Sequence, residues 1–386
     1  MSEEFIPYGK QWIDDEDIRA VVDVLNSDFL TTGPKIKEFE EKFAKYIGCK
    51  YAVAISNGTA ALHAACYAAN IKAGDEVITT PITFAASANC VRYLGGTPVF
   101  ADIDPKTYNI DPNEIRKKIT AKTKAIIPVH FTGQVCNMEE IKKIAKEHNL
   151  IVIEDGAHVL GGEYKNELVG HLSDMTTFSF HPVKHITTGE GGMITTDNKE
   201  LYDRLILFRT HGITRNMDLL ENKENEPWYY EQLELGYNYR ITDIQCALGI
   251  SQLNRLDNFV KRRRKIVEIY NREFNQLDGV IIPYQDKNQN SSYHLYVLQL
   301  ELEKLDVDRK EIFNELRSEN IGVNVHYIPV YYFPYYKNLG YKKGICPKAE
   351  ALYERIITIP LYPKMTDEEV FRVIDKIKKV IKKHRK

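Results

Sequence analysis

The sequence has few cysteines and no close pair of them. Cys49, Cys66, Cys90, Cys136, Cys246 and Cys346 are scattered along 386 residues with no CxxC spacing. That argues against a disulfide frame or a thiolate zinc site and fits reduced thiols in a cytoplasm. No apolar run approaches the roughly 18 residues of a membrane span. The opening MSEEFIPYGKQ is acidic and polar, unlike a secretory leader, so no membrane partner and a cytoplasmic location are expected. A net charge of −2 offers no global attraction to nucleic acid or anionic lipid. HExxH is absent, and His158, His171, His181, His185 and His211 show no ligand spacing, so no metal is expected. There is no internal repeat and no low-complexity tract.

What is present is an alternation of apolar strands and amphipathic helices. DDEDIRAVVDVLNS (14–27) reads as an acid-started helix, LTTGP as a turn, and Lys35 to Ile47 as a second helix. YAVAIS, EVITT, TPVFADI, TKAIIPVH and LIVIED follow as strands, with helices between them. The strands are unbroken apolar runs, as in a parallel sheet covered on both faces. Two helices are expected near Thr242 to Leu256 and Val260 to Leu277. From about residue 257 the pattern changes: YHLYVLQL and GVNVHYIPV read as strands, DRKEIFNELRSEN and the chain's last stretch as helices. The expected division is a large α/β domain, 1–256, and a small α+β domain, 257–386. The basic run KRRRK, Lys261 to Lys265, is expected to be a solvated helix face, with a nucleic-acid patch as the alternative.

The chemistry centres on FSFHPVKHITTGEGGMITT, Phe178 to Thr196: a strand, a loop with one lysine, a glycine-rich turn and a second strand. A lysine held between two apolar strands can aim a desolvated amine at a cavity. Desolvation lowers an amine's pKa and frees the neutral nucleophile that Schiff-base chemistry requires. Lys184 is therefore the candidate, with a surface-loop lysine as the alternative. Four other features fit it. In SNGTAAL, a strand ends in an Asn-Gly turn and a helix begins near Thr59, a setting for an anion or for simple capping by Asn57 or Thr59. It lacks the P-loop spacing. In IEDGAH, Asp155 follows an apolar strand, where open α/β sheets place ligand groups. It is either a partner for a protonated ring nitrogen or a helix cap. His158 is either a ring contact or a core histidine. Ser179 ends the strand before Lys184 and is a second candidate for an anion. Phe84, at a strand-to-helix junction, is either a stacking face or core. An anion site, a ring-nitrogen partner, a stacking face and an amine together match pyridoxal 5′-phosphate.

The chain resembles the sugar-nucleotide aminotransferases of the DegT/DnrJ/EryC1/StrS group, on the fold-type I scaffold. IPYGKQWIDDEDI, LTTGP, SNGTAAL, TTPITFAAS, EDGAH, SFHPVK, TTGEGG, LGYNYRITDIQCALG and VHYIPVY carry the likeness nearly end to end. The resemblance implies a mostly parallel seven-stranded sheet between helices. It makes Lys184 the Schiff-base residue, Asp155 the ring-nitrogen partner, Phe84 the stacking ring and His158 a ring-face contact. Phosphate binding falls to Gly58, Thr59, Ala60 and Ser179, and Asn238 in GYNYR matches a position supplied by the partner subunit. A homodimer with shared sites follows. SFHPVK and TTGEGG are most similar to the subgroup acting in pseudaminic acid biosynthesis, implying a UDP-linked 4-keto-6-deoxy-N-acetyl hexose and glutamate as amino donor. Lys10, Thr31, Arg240, His326 and Tyr327 are the candidate substrate contacts. His185 departs from the pattern, because proline is usual there. The alternatives are a dTDP- or GDP-ketosugar aminotransferase, a sugar dehydratase, and a non-catalytic regulator that binds the cofactor. Related dehydratases carry histidine in place of the lysine, so Lys184 itself favours transamination.

Overall fold

The computed structural model describes residues 4–222 and 226–386. Its central sheet comprises β1 (Tyr51–Ile55), β2 (Glu76–Thr79), β3 (Thr97–Phe100), β4 (Thr123–Ile127), β5 (Ile151–Asp155), β6 (Met175–Ser179) and β7 (Gly192–Thr196). The spatial order is β1-β7-β6-β5-β4-β2-β3. β7 runs antiparallel to both neighbours, and the other six share one direction. Helical crossovers make parallel pairs, whereas a chain that turns back directly makes an antiparallel one. Residues 180–191 join β6 to β7 without a helix, and this return loop carries Lys184.

Helices cover both faces. On one, Val53, Ile55, Ile153 and Ile194 pack under the helix Gly58–Ala68, whose Ala61, Ala64 and Ala65 are fully buried. Small side chains let that helix lie close to the sheet. On the other, Ala54, Phe178 and Met193 meet Phe39 and Phe43 of the helix Pro34–Ile47. A smaller antiparallel sheet follows: β8 (Val280–Ile281), β9 (Tyr296–Leu300) and β10 (Ile356–Ile359), in that order. The helices Arg309–Ser318 and Asp367–Lys383 cover it through Ile312, Leu316, Val373 and Ile377.

Three expectations are corrected. One helix, Asp243–Phe274, of 32 residues, stands where two were expected. Asp257 and Asn258 punctuate the sequence there, but in a helix interior such residues cost only about 0.5 kcal/mol each. Leu256, Phe259 and Val260 keep the apolar face continuous, so the helix runs from the large core into the small one. Residue 256 lies inside this helix, and Ile6 joins the core around the smaller antiparallel sheet. Second, the basic run is not a solvated face. Arg263 is 1% exposed and donates to the carbonyls of Tyr293, His294 and Leu361. Arg262 and Arg264 bind further carbonyls, leaving Lys261 and Lys265 outward. Third, GVNVHYIPV is not a strand. Within it a single bridge forms, Asn324 with Thr358, and the side chains of His326 and Tyr327 reach Thr358 and His158.

The long helix also organises its neighbour. Buried Asp243 accepts the N–H groups of Gly33 (2.8 Å) and Lys35 (2.9 Å), capping the helix Pro34–Ile47 from another element. Asp243→Ala is expected to lower unfolding free energy by about 2 kcal/mol, the loss of two N–H bonds to a charged acceptor. A urea titration with a shift below about 0.5 kcal/mol would contradict that role.

Candidate active site

The directions of β1, β2, β5 and β6 bring their carboxyl ends to one edge of the sheet, where open α/β folds form ligand crevices. A cavity of about 850 Å³ opens there. Of the candidate residues, Gly58, Thr59, Ala60, Phe84, Asp155, His158, Ser179, Lys184, His326 and Tyr327 line it. Asn238, Lys10, Thr31 and Arg240 are not among its lining residues. Asn238, Lys10 and Thr31 are exposed, and Arg240 is half-buried.

Lys184 sits in the return loop with buried Phe180 before it and buried Ile186 after it. Phe180 packs against Phe39 and Phe43, and its carbonyl accepts from the Thr187 hydroxyl and the Thr188 N–H. The stem is thus anchored on both sides and the amine faces the cavity. Burial lowers that amine to about 8; Asp155 opposes the shift and Arg263 assists it. His185, the departure from the family pattern, is buried and donates from Nε2 to the Ser292 carbonyl at 3.3 Å. It does not line the cavity.

Asp155 is the last residue of β5 and 4% exposed. Its Oδ2 accepts the Ser87 hydroxyl at 2.6 Å, and Oδ1 accepts the Ala157 N–H at 3.1 Å. Thr83 binds Ser87 at 2.7 Å, so a hydroxyl pair braces the carboxylate. Glu154, one residue earlier, faces the opposite side and pairs with His130 at 2.8 Å. Strand alternation therefore assigns one acid to the cavity and one to the core.

At the start of the helix Gly58–Ala68, Asn57 Oδ1 accepts the Ala60 N–H at 2.8 Å. Capping by Asn57 is thus realised, and Ala60 contributes wall rather than a donor. Gly58 is required by close packing: a Cβ there would lie 2.8 Å from Ser179 Cβ. His158 is buried, with Nε2 at 3.0 Å from the Tyr327 hydroxyl. Burial, then the nearby Lys184 charge, holds it well below the ordinary histidine range. His326 is tied to Thr358 at 2.9 Å and Asn324 at 3.3 Å, and burial lowers it to about 3.

Sequence reasoning missed Ser87, Tyr8, Glu190, Tyr239 and His294. Ser87 lay in the quoted TTPITFAAS, Tyr8 in IPYGKQ and Glu190 in TTGEGG. His294 lay in a stretch read only as a strand, with no local signal for a site. Among the described residues, no group of three or more His, Cys, Asp or Glu is placed to hold a metal ion. No helix among them is long and apolar enough to cross a membrane.

A lysine amine with a lowered pKa, facing a braced carboxylate beside a helix N-terminus, defines a pyridoxal-phosphate enzyme of the fold-type I aminotransferase class. The model of the DegT/DnrJ/EryC1/StrS aminotransferase family matches residues 11–378, and the chain belongs to that family. Spore coat polysaccharide biosynthesis protein SpsC of Bacillus subtilis is 44% identical over 380 residues, covering 98% of this chain and 97% of that one. GDP-perosamine synthase of Escherichia coli O157:H7 is 38% identical over 375 residues, 97% of this chain and 98% of that one. Helicobacter pylori PseC, an aminotransferase of pseudoaminic acid biosynthesis, superposes with a TM-score of 0.91 at 32% identity, over 98% of this chain and 100% of that one. The chain is a sugar aminotransferase, and its cofactor is pyridoxal 5′-phosphate. The residues fit that group: an amine for its aldehyde, a carboxylate for its ring nitrogen, and a helix N-terminus with Ser179 for its phosphate.

Two outcomes follow from this geometry. Selective amine labelling of Lys184 in the cofactor-free protein should rise with pH about a midpoint near 8. An ordinary lysine titrates at about 10.4, and a midpoint there would contradict the buried setting. Ser87→Ala removes one hydroxyl from Asp155. We expect about tenfold weaker cofactor binding, from ~1.4 kcal/mol of lost charge-assisted bonding; unchanged affinity in a fluorescence titration would contradict the bracing role.

Proposed function

We propose that the enzyme transfers an amino group from glutamate to a nucleotide-linked 4-keto-6-deoxy sugar. A UDP-2-acetamido-2,6-dideoxy-4-hexulose is the preferred substrate on this reading. The observation that carries the transamination is the Lys184 amine, lowered to about 8 in a cavity that Asp155 also lines. The likeness to PseC supports the sugar. The relative that makes GDP-perosamine favours a second reading, a GDP-linked ketosugar.

When bound, pyridoxal phosphate supplies an aldehyde and an electron-withdrawing ring. The chain's own residues do the rest. Asp155 holds a proton on the ring nitrogen, and Ser87 and Ala157 keep its oxygens aimed. Phe84, 62% exposed on the cavity wall, offers a face for the ring, and His158, steadied by Tyr327, meets it. Gly58, Thr59 and Ser179 hold the phosphate. The Lys184 amine, once free, would act as the base that takes the α-proton of the amino donor and as the acid that returns it, and would serve the sugar half-reaction in the same two roles. His326 and Tyr327 border the space for the sugar.

A homodimer with shared sites accounts for the residues outside the cavity. Asn238 would complete the phosphate site of the partner subunit, and Lys10, Thr31 and Arg240 would reach its substrate. Ile18, Val22, Leu25, Phe29 and Leu30 are exposed near the chain's start, and Trp228, Leu235 and Tyr237 near Asn238. Such apolar exposure supports an interface there.

Incubation with UDP-, dTDP- and GDP-linked 4-ketosugars and glutamate, read by mass spectrometry, tests the function. We expect an aminosugar from the UDP substrate with equimolar 2-oxoglutarate. Amination of the GDP substrate alone would establish the second reading, and a deoxysugar formed without glutamate consumption would remove both. A monomer in sedimentation at working concentration would remove the shared-site arrangement.

A further inference from the structure

We propose that His294 is a positioning residue for Lys184, holding the lysine amine inside the cavity whenever that amine is not joined to a carbonyl carbon. This rests on the reading of Lys184 as the Schiff-base amine. His294 is 3% exposed, and its Nε2 lies 3.4 Å from Lys184 Nζ. Its ring sits 4.3 Å from that of His158 and 5.6 Å from that of His185. Those two neighbours are already engaged, His158 Nε2 with Tyr327 and His185 Nε2 with the Ser292 carbonyl. His294 Nε2 is the imidazole nitrogen within hydrogen-bond distance of the lysine amine. Its Nδ1 is buried without a partner, so the lysine contact is the bond that orients the ring.

The backbone beneath is bolted down. Arg263 donates from one nitrogen to the carbonyls of Tyr293, His294 and Leu361, at 3.3, 3.2 and 2.9 Å. That guanidinium fixes the backbone at His294. Burial, and then the nearby Lys184 amine, keep His294 well below the usual histidine range. A neutral imidazole can accept an N–H from the amine without competing for its charge. Asp155 likewise favours the ammonium, through the charge of its carboxylate. With His326 also neutral and Tyr327 bound to His158, His294 is the neutral acceptor at the freed amine.

Capture of pyridoxal phosphate by the cofactor-free protein tests this across pH. The Lys184 nitrogen joins the aldehyde carbon with loss of water, and borohydride then supplies a hydride that makes the link permanent for peptide mapping. His294→Leu should slow capture at Lys184 by about tenfold or more, since small displacements of a reacting group carry costs of that order. It should also move the pH midpoint downward, because the bond that favoured the ammonium is gone. His294→Gln, whose amide oxygen accepts an N–H, should recover most of both. If the leucine variant does not fold, His294→Asn, polar but too short, should show the same slowing. Wild-type rate and midpoint in a folded leucine or asparagine variant would overturn the proposal, whatever its melting temperature. A label on a residue other than Lys184 in the wild-type protein would instead overturn the reading of Lys184 itself.

Discussion

An amine kept out of water is the constraint from which the rest of this structure follows. Lys184 leaves the sheet between Phe180 and Ile186, both buried, so its stem cannot swing freely to solvent. Removing the charged form's hydration lowers the amine to about 8, which places a useful fraction of nucleophile near neutrality. The buried guanidinium of Arg263 adds to the effect, and the Asp155 carboxylate limits it. A lysine on an exposed loop would keep its proton and do none of this chemistry.

The sheet delivers the other groups to that amine. Because β1, β2, β5 and β6 run the same way, Asn57, Thr83, Asp155 and Ser179 all emerge on one edge. The one antiparallel strand, β7, exists because the loop with Lys184 returns directly. Polar groups inside this region are largely satisfied by one another. The Thr83–Ser87–Asp155 chain and the Glu154–His130 pair are examples, and unpaired groups of that kind would each cost on the order of 1–3 kcal/mol. The atoms left without a partner in the structure include Nδ1 of His158 and of His294, both beside the lysine.

Much of the fold was legible because strong local patterns were also the tertiary ones. Apolar runs such as YAVAI and TKAII became buried strands, and the acid-started stretch at 14–27 became a helix capped by Asp14. Motif residues at strand ends reached the cavity because a strand end has little freedom in where it goes. Errors arose where tertiary partners overruled a local reading. Asp257 and Asn258 looked like a break, but Tyr46 takes the Asp257 carboxylate and the helix continues. KRRRK looked solvated, but backbone carbonyls of distant segments absorbed its arginines. VHYIPV alternated like a strand, yet His326 and Tyr327 found partners at Thr358 and His158 instead.

By itself the sequence determined the class of chemistry: one lysine in a return loop, one acid after an apolar strand, small residues before a helix, and an order of strands and helices that admits few topologies. These are local or nearly local properties of the chain. Only the tertiary structure decided which histidine faces the lysine, what braces Asp155, and that a buried arginine stands behind them. Lys184 and His294 are 110 residues apart in the chain. No spacing rule links groups so distant, because their meeting depends on how remote segments pack together.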